Sequence, residues 1–260
     1  MAEIDLKYYI FDWDDNILFM PTRIHLELDG VQVDVTTKEF AGLRHNKAYR
    51  LLNDDPDQAF AGFRDGTGDF VADAREAIRR GHVAPSFEAF KRALIKGRLF
   101  SIVTARGHSE KTIRAGVELF IAEVLTEQER DEMLKSIQTF NRLAGLHIPA
   151  DACLRHYLDL NGYIGVSSPE FLTAFKDDAL TGASTPESGK TFAVRRFVVR
   201  AVELANNLPA RRIAFGFSDD DPHNLATVRR FLDEKLMEEF PNIDFFIYDT
   251  SGGREEVEQL

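Results

Sequence analysis

Four apolar residues in succession, Tyr8-Tyr9-Ile10-Phe11, run into the polar stretch Asp12-Trp13-Asp14-Asp15-Asn16. An apolar run without alternation marks a strand covered on both faces, as in a parallel sheet. The form recurs twice. Leu99-Phe100-Ser101-Ile102-Val103-Thr104 ends in Ala105-Arg106-Gly107-His108, and Arg212 to Phe217 ends in Ser218-Asp219-Asp220-Asp221. Tyr163-Ile164-Gly165-Val166 reads as a short strand and Phe245-Phe246-Ile247-Tyr248 as the last one. Between these runs the apolar spacing becomes helical. It predicts helices over about 109–124 and 126–144, from Lys190 to about Asn206, and from Leu225 to Phe240. Strands alternating with helices predict an α/β fold with a mainly parallel sheet.

One stretch breaks this rhythm. Arg23 to Leu28 and Val31 to Val35 alternate strictly around Asp29-Gly30, the strongest short signal for a β-hairpin. One hairpin face carries Ile24, Leu26, Leu28, Val31, Val33 and Val35, so that face should cover something. Residues 36–82 show mixed patterning with two turns. Ser86 then caps a helix through Leu94 that Gly97 ends. Residues 20–97 therefore read as an insertion between the first and second core strands, leaving 1–19 and 98–260 as the core. The segment 107–188 exceeds what a minimal core needs and leaves room for a further helical insertion or an oligomer surface.

Composition narrows the class. The chain has 260 residues, 44% of them hydrophobic, enough for one large domain with an insertion. Its 43 acidic residues outweigh 32 basic ones, for a net charge of −11. That balance argues against a general nucleic-acid or anionic-membrane binder. The single cysteine, Cys153, excludes an internal disulfide framework and suits a reducing compartment. The start Met-Ala-Glu-Ile-Asp-Leu is unlike a signal peptide, and no apolar run approaches membrane-spanning length. The expectation is a cytoplasmic protein.

The chemistry gathers at the strand ends. Asp12 and Asp14 project to one side of an extended backbone while Trp13 points away. Two carboxylates held so close call for a divalent cation, a shared proton, or both. Thr104 ends the second core strand, Lys190 opens a helix entering the same layer, and Asp219 and Asp220 follow a later strand. Singly these residues have plainer readings: a β-branched strand residue, an exposed lysine, an acidic helix N-terminus favoured by its dipole. Asp55-Pro56-Asp57 and Asp177-Asp178 are read as solvated, lacking the apolar run that precedes Asp12. Ser184 to Thr191 ends like a phosphate-binding P-loop, but lacks its first glycine and a preceding strand, and Pro186 stiffens it. Together, nucleophile, acid, hydroxyl, ammonium and acidic pair are the parts that phosphoryl transfer needs.

In that order and context, Asp12-x-Asp14-x-Asn16, Thr104, Lys190 and the acidic pair resemble the four motifs of the haloacid dehalogenase (HAD) superfamily of hydrolases. The resemblance spans residues 8 to about 224. It implies a Rossmann-like core with the 20–97 insertion as a cap, and a magnesium-dependent phosphatase acting on a small phosphorylated substrate. Asp12 would be the nucleophile and form an aspartyl-phosphate. Asp14 would protonate the leaving group and then activate water. Thr104 would bind the phosphoryl group, and Lys190 would neutralise charge on it. Asp219 or Asp220, with Asp12 and the backbone carbonyl of Asp14, would hold Mg2+. Asp14 itself points to the phosphatase branch, since the dehalogenases lack that carboxylate. The chain departs from the family's pattern at Asp15 and Asn16, often Gly and Thr, and at His223, where a second Asp is common. Asn16 and Arg106 are candidate substrate contacts, with Arg23, His25 and His108 near the site or cap. Phosphotransfer to another acceptor, or a catalytically quiet HAD-like binding protein, are the alternatives.

Overall fold

The computed structural model describes residues 4–176, 186–206 and 210–260. The first strand, β1 (Ile4–Phe11), begins four residues before the apolar run. The hairpin follows as β2 (Ile24–Leu28) and β3 (Val31–Val35), paired Ile24 to Val35 and Leu28 to Val31. Asp29 and Gly30 both take positive φ, +51° and +78°, as a tight two-residue hairpin requires. Helix α1 (Thr37–Leu43) starts at a Thr36/Glu39 capping box. A short strand β4 (Tyr49–Leu51) joins the free side of β2, making a three-stranded antiparallel sheet. The short helix α2 (Pro56–Ala59) is capped by Asp55, while Asp57 pairs with Arg64. Then come α3 (Phe70–Arg80), stopped by left-handed Gly81, and α4 (Phe87–Ile95).

Strand β5 (Leu99–Thr104) is buried throughout. Helices α5 (Glu110–Val124) and α6 (Glu127–Leu143) fall where the spacing places them, capped by Ser109 and Thr126. The remaining elements are α7 (Cys153–Leu160), β6 (Gly162–Gly165), α8 (Pro169–Lys176), α9 (Pro186–Ala205), β7 (Ala210–Asp219), α10 (Pro222–Phe231), β8 (Ile243–Asp249) and β9 (Glu256–Gln259). Asp177, Asp178 and residues 181–185, the start of the expected turn-rich loop, lie outside the described residues. No helix among the described residues is long and apolar enough to cross a membrane.

The six-stranded sheet runs β6-β5-β1-β7-β8-β9, with every pair parallel except β8–β9. Helices flank it, an α/β arrangement consistent with a Rossmann-like core. Connections move outward from β1 to β5 and β6, then cross back to β7 and β8. That reversal beside β1 is a topological switch point, and such points open a crevice at the carboxyl ends of the strands. Phe11 lies opposite Ile102 on one side and Ser218 on the other. The residues that follow, Asp12, Thr104 and Asp219, are therefore delivered to one edge.

Two apolar clusters separate cleanly. Ile24, Leu26, Val35 and Phe63 form a small one, packed by Phe40, Phe60, Leu43, Tyr49 and Leu51. This is what the hairpin face covers, although Val31 on that face is exposed. Phe70, Ala74, Ala77, Phe90, Ala93 and Leu94 belong instead to the main core. The insertion's own core thus ends near residue 63, and helices α3 and α4 are part of the larger body. So are the buried residues of α6 and α7, including Met133, Ile137 and Tyr157.

The C-terminal helical region differs from its sequence expectation. A π-helical turn, Leu232–Leu236, interrupts it after α10. Its buried positions Val228, Leu232 and Leu236 are four residues apart. In a regular helix that spacing drifts around the axis; a wider turn returns Leu232 and Leu236 to the core face.

Helices α3 and α5 pack tightly because Gly116 admits the Phe70 ring, which a Cβ at that position would strike. Gly116→Ala gains roughly 1 kcal/mol of helix propensity. It is nevertheless expected to destabilise the protein, since overpacking a core costs about 1–3 kcal/mol. Urea unfolding of the two proteins checks the sign.

Candidate functional site

The β1 carboxyl end turns sharply. Asp12 still pairs, its N–H donating to the Ser218 carbonyl at 2.9 Å. Trp13 turns into the core against Phe70 and Phe90, with its indole N–H directed at the Met20 sulfur. Asp15 then adopts φ +57°, and the N–H groups of Ile17 and Leu18 return to the Trp13 carbonyl. A non-glycine residue held in that region is costly and needs surrounding support. Asn16 gives it. Fully buried, its amide donates to the carbonyls of Asp12 (3.2 Å) and Ser218 (3.1 Å), while its oxygen accepts from the hydroxyls of Ser218 and Thr250. Asn16 is thus a brace under the loop, and it does not line the cavity above it. Its expected substrate contact is corrected on that ground.

Asp12 and Asp14 enter the same cavity but take different partners. The Lys190 ammonium donates to Asp12 Oδ1 at 2.8 Å and to Asp219 Oδ2 at 2.6 Å, all three groups buried. Lys190 does not open its helix. The helix starts at Pro186, whose fixed φ suits a first turn, and Lys190 projects from the second turn. Asp219 Oδ1 accepts from the Asp221 N–H and from Asn224.

Asp14 is gripped from the β5 side. Arg106 donates Nε to Asp14 Oδ2 (2.8 Å) and Nη2 to Oδ1 (2.7 Å), and the Thr104 hydroxyl lies 3.2 Å from Oδ2. The guanidinium is buried between the rings of Phe63 and Phe70, 4.5 and 5.3 Å from their centroids, and also donates to Thr22. Planar stacking with a two-pronged carboxylate contact is a geometry arginine provides and lysine cannot.

The acidic run after β7 divides by role. Oxygens of Asp12, Asp219 and Asp220 lie within 4.8 Å of one another, a set that could hold a metal ion. The Asp14 side chain is not in that set. Asp221 caps α10 and pairs with Arg44 at 3.0 Å, which ties it away from the cluster. His223 is exposed and faces His45 instead. Three carboxylates thus face one ammonium. Burial would lower Lys190, but Asp12 and Asp219 outweigh it and hold the ammonium protonated. Asp12 is pushed well up by burial, with Lys190 opposing and Asp219, Asp220 and Asp14 adding to the rise. Asp220 is pushed up to about 8 by burial, then by Asp219 and Asp15, against Lys190. This excess of crowded, all-oxygen negative charge fits a hard divalent cation.

The cavity has a volume of about 400 Å³ and lies between the sheet edge and the small apolar cluster. The Gly107 N–H donates to the Phe63 carbonyl at 2.9 Å beside it, and two side-chain contacts, Thr37 with Asp15 (2.5 Å) and Arg44 with Asp221, also join the two bodies. Sequence reasoning missed both, since nothing local marks Arg44 or Thr37. Thr250 was also missed, although it stands at the carboxyl end of β8 and so shares the signal that singled out Thr104. Arg23 and His25 lie on the outer hairpin face, paired with Glu39 and Asp34. Neither lines the cavity.

His108 is buried behind Arg106 against Phe70, and neither ring nitrogen has a hydrogen-bond partner among the described residues. Burial, and then Arg106, lower it to about 4 from an ordinary 6.5, against the pull of Asp65, Asp14 and Asp69. Between those values the unfolded chain binds the extra proton, so stability falls as pH drops through that window. His108→Phe should remove this acid-side slope, measured as the melting temperature between pH 7 and about 4.

No protein-family model, curated protein or solved structure matches this chain.

Proposed function

We propose that the chain is a HAD-like, magnesium-dependent phosphatase that hydrolyses a phosphomonoester through an aspartyl-phosphate on Asp12. The observation that carries this reading is the buried Asp12–Lys190–Asp219 arrangement opening into the same cavity as Asp14 and Thr104. The single cysteine is buried, which suits a cytoplasmic setting.

In the first half-reaction an Asp12 oxygen bonds to phosphorus, the ester P–O bond breaks, and Asp14 gives its proton to the departing alkoxide. In the second, water attacks the same phosphorus while Asp14 takes its proton, and phosphate leaves with the Asp12 carboxylate restored. Lys190 orients Asp12 and offsets charge on the phosphoryl oxygens, and Thr104 donates to one of them. Asp12, Asp219 and Asp220 would hold Mg2+, which supplies charge neutralisation at the phosphoryl group when bound. Both Asp14 oxygens face Arg106 in this structure, so Asp14 must turn one of them toward the leaving group. That grip is also the observation favouring the second reading, a quiet binding protein whose Asp14 stays clamped.

Rapid quenching with a 32P-labelled phosphomonoester and magnesium separates the two. The phosphatase reading expects a labelled protein that is stable in acid and discharged by hydroxylamine, together with continuing phosphate release. Ligand binding without any labelled protein or phosphate release supports the quiet one.

A further inference from the structure

We infer that the substrate is a monoanchored phosphomonoester whose leaving group is apolar, a benzyl-type or branched hydrocarbon alcohol, and not a polyol or a second anionic group. This rests on the phosphatase reading and deepens it.

The cavity wall opposite Asp12 is built from Ile24, Phe40, Ala41, Pro56, Phe60 and Phe63. Phe40 and Phe60 meet edge to face at 5.5 Å, and Phe60 and Phe63 at 6.0 Å, so the wall is one continuous aromatic surface. None of these side chains carries a hydrogen-bonding group. A sugar or glycerol lying against this wall would lose water from several hydroxyls and find no partners on it, since the polar lining residues Thr37, Ser167 and Asn224 are not part of it. Each hydroxyl left unpaired opposes binding, whereas a hydrocarbon gains from the same contact.

The cationic groups near the wall argue the same way. Arg44 is committed to Asp221 and Arg64 to Asp57, each by a direct ion pair. Arg106 is taken by Asp14, and Lys190 by Asp12 and Asp219. Arg44 Nε and Arg106 Nη1 have no partner among the described residues, but each belongs to a guanidinium already neutralised by an aspartate, so a second phosphate or carboxylate would meet no uncompensated cation. The six aspartates that also line the cavity would repel it.

The test compares alkyl phosphates whose alkoxides are of similar basicity, so that leaving-group reactivity does not decide the ranking. Benzyl and phenethyl phosphate are set against glycerol 2-phosphate and glucose 6-phosphate, with magnesium, using the full chain. The expected result is kcat/KM at least about 100-fold higher for the aromatic pair. Phe60→Ser should raise KM for benzyl phosphate about tenfold with kcat little changed, and Phe60→Leu should restore most of it. Equal or better turnover of the polyol phosphates would overturn the inference while leaving the phosphatase reading intact. If no ester turns over, calorimetry with benzylphosphonate and magnesium decides. Binding at least tenfold tighter than that of inorganic phosphate upholds the apolar site, and no such preference sinks it. Turnover that survives Asp12→Asn would instead remove the aspartyl-phosphate mechanism on which the inference rests.

Discussion

Asp12→Asn is expected to lower magnesium-dependent phosphate release by at least about 10⁴-fold without destabilising the metal-free protein. The two halves of this result have one cause. An amide oxygen still accepts from Lys190, which lies 2.8 Å from Asp12 Oδ1, so the hydrogen bond survives. One of three carboxylates crowded within 4.8 Å is meanwhile neutralised, and the mutual repulsion that pushes Asp12 and Asp220 up is reduced. The nucleophile is lost, and with it a negatively charged oxygen for magnesium. Urea unfolding without divalent cations should show equal or higher stability in the variant, and titration calorimetry should show weaker magnesium binding. Full activity in Asp12→Asn would remove the proposed mechanism. A large loss of stability would mean that the carboxylate crowd is better compensated than its geometry indicates. Sites that accept such repulsion for function commonly gain stability when it is relieved.

Lys190→Met is expected to be the opposite case, inactive and destabilised by about 3–5 kcal/mol, because removing one partner leaves the other buried charges uncompensated. Lys190 is the one cation touching both Asp12 and Asp219 among the described residues. The stability loss should be larger near neutral pH than in acid. With the ammonium gone, the folded carboxylates hold protons more tightly than unfolded ones. The deficit therefore shrinks as pH falls toward the ordinary aspartate value of 3.8 and grows as it rises. Magnesium should recover part of it by supplying the missing positive charge. Adding Asp12→Asn to Lys190→Met should also recover stability, so the double-mutant cycle would show strong coupling. Independent effects of the two substitutions would contradict the arrangement.

Much of the sheet was legible because it is written in unbroken apolar runs. Strand β5 and the hairpin fall at the residues the patterning assigns. Strand β9 was not legible: all four of its residues are exposed, and only pairing with β8 makes it a strand. Strand β4 is a three-residue edge that exists by bonding to β2. Helix α3 carries a regular apolar face, Phe70, Ala74 and Ala77. Two small residues of the three give a weak signal until α5 is seen packed against them.

The sequence by itself determined which side chains stand at the ends of the core strands. An apolar run interrupted by charge can only place that charge where the strand leaves the core, since a buried, unpaired carboxylate is too costly. That logic singled out Asp12, Asp14, Thr104 and the 219–220 pair, which all line one cavity. Only the tertiary structure decided how those groups divide. Asp14 went to Arg106, Asp12 to Lys190, Asp221 to a helix cap and Arg44, and Asn16 to a buried brace. Apart from the helix cap and the bond of Asn16 back to Asp12, these pairings join residues 92 to 234 positions apart, chosen by which donors the packed elements bring within hydrogen-bond reach. Distance in space, set by the packing of Phe63, Phe70 and Trp13 around Arg106 and the site loop, carries no local mark in the chain.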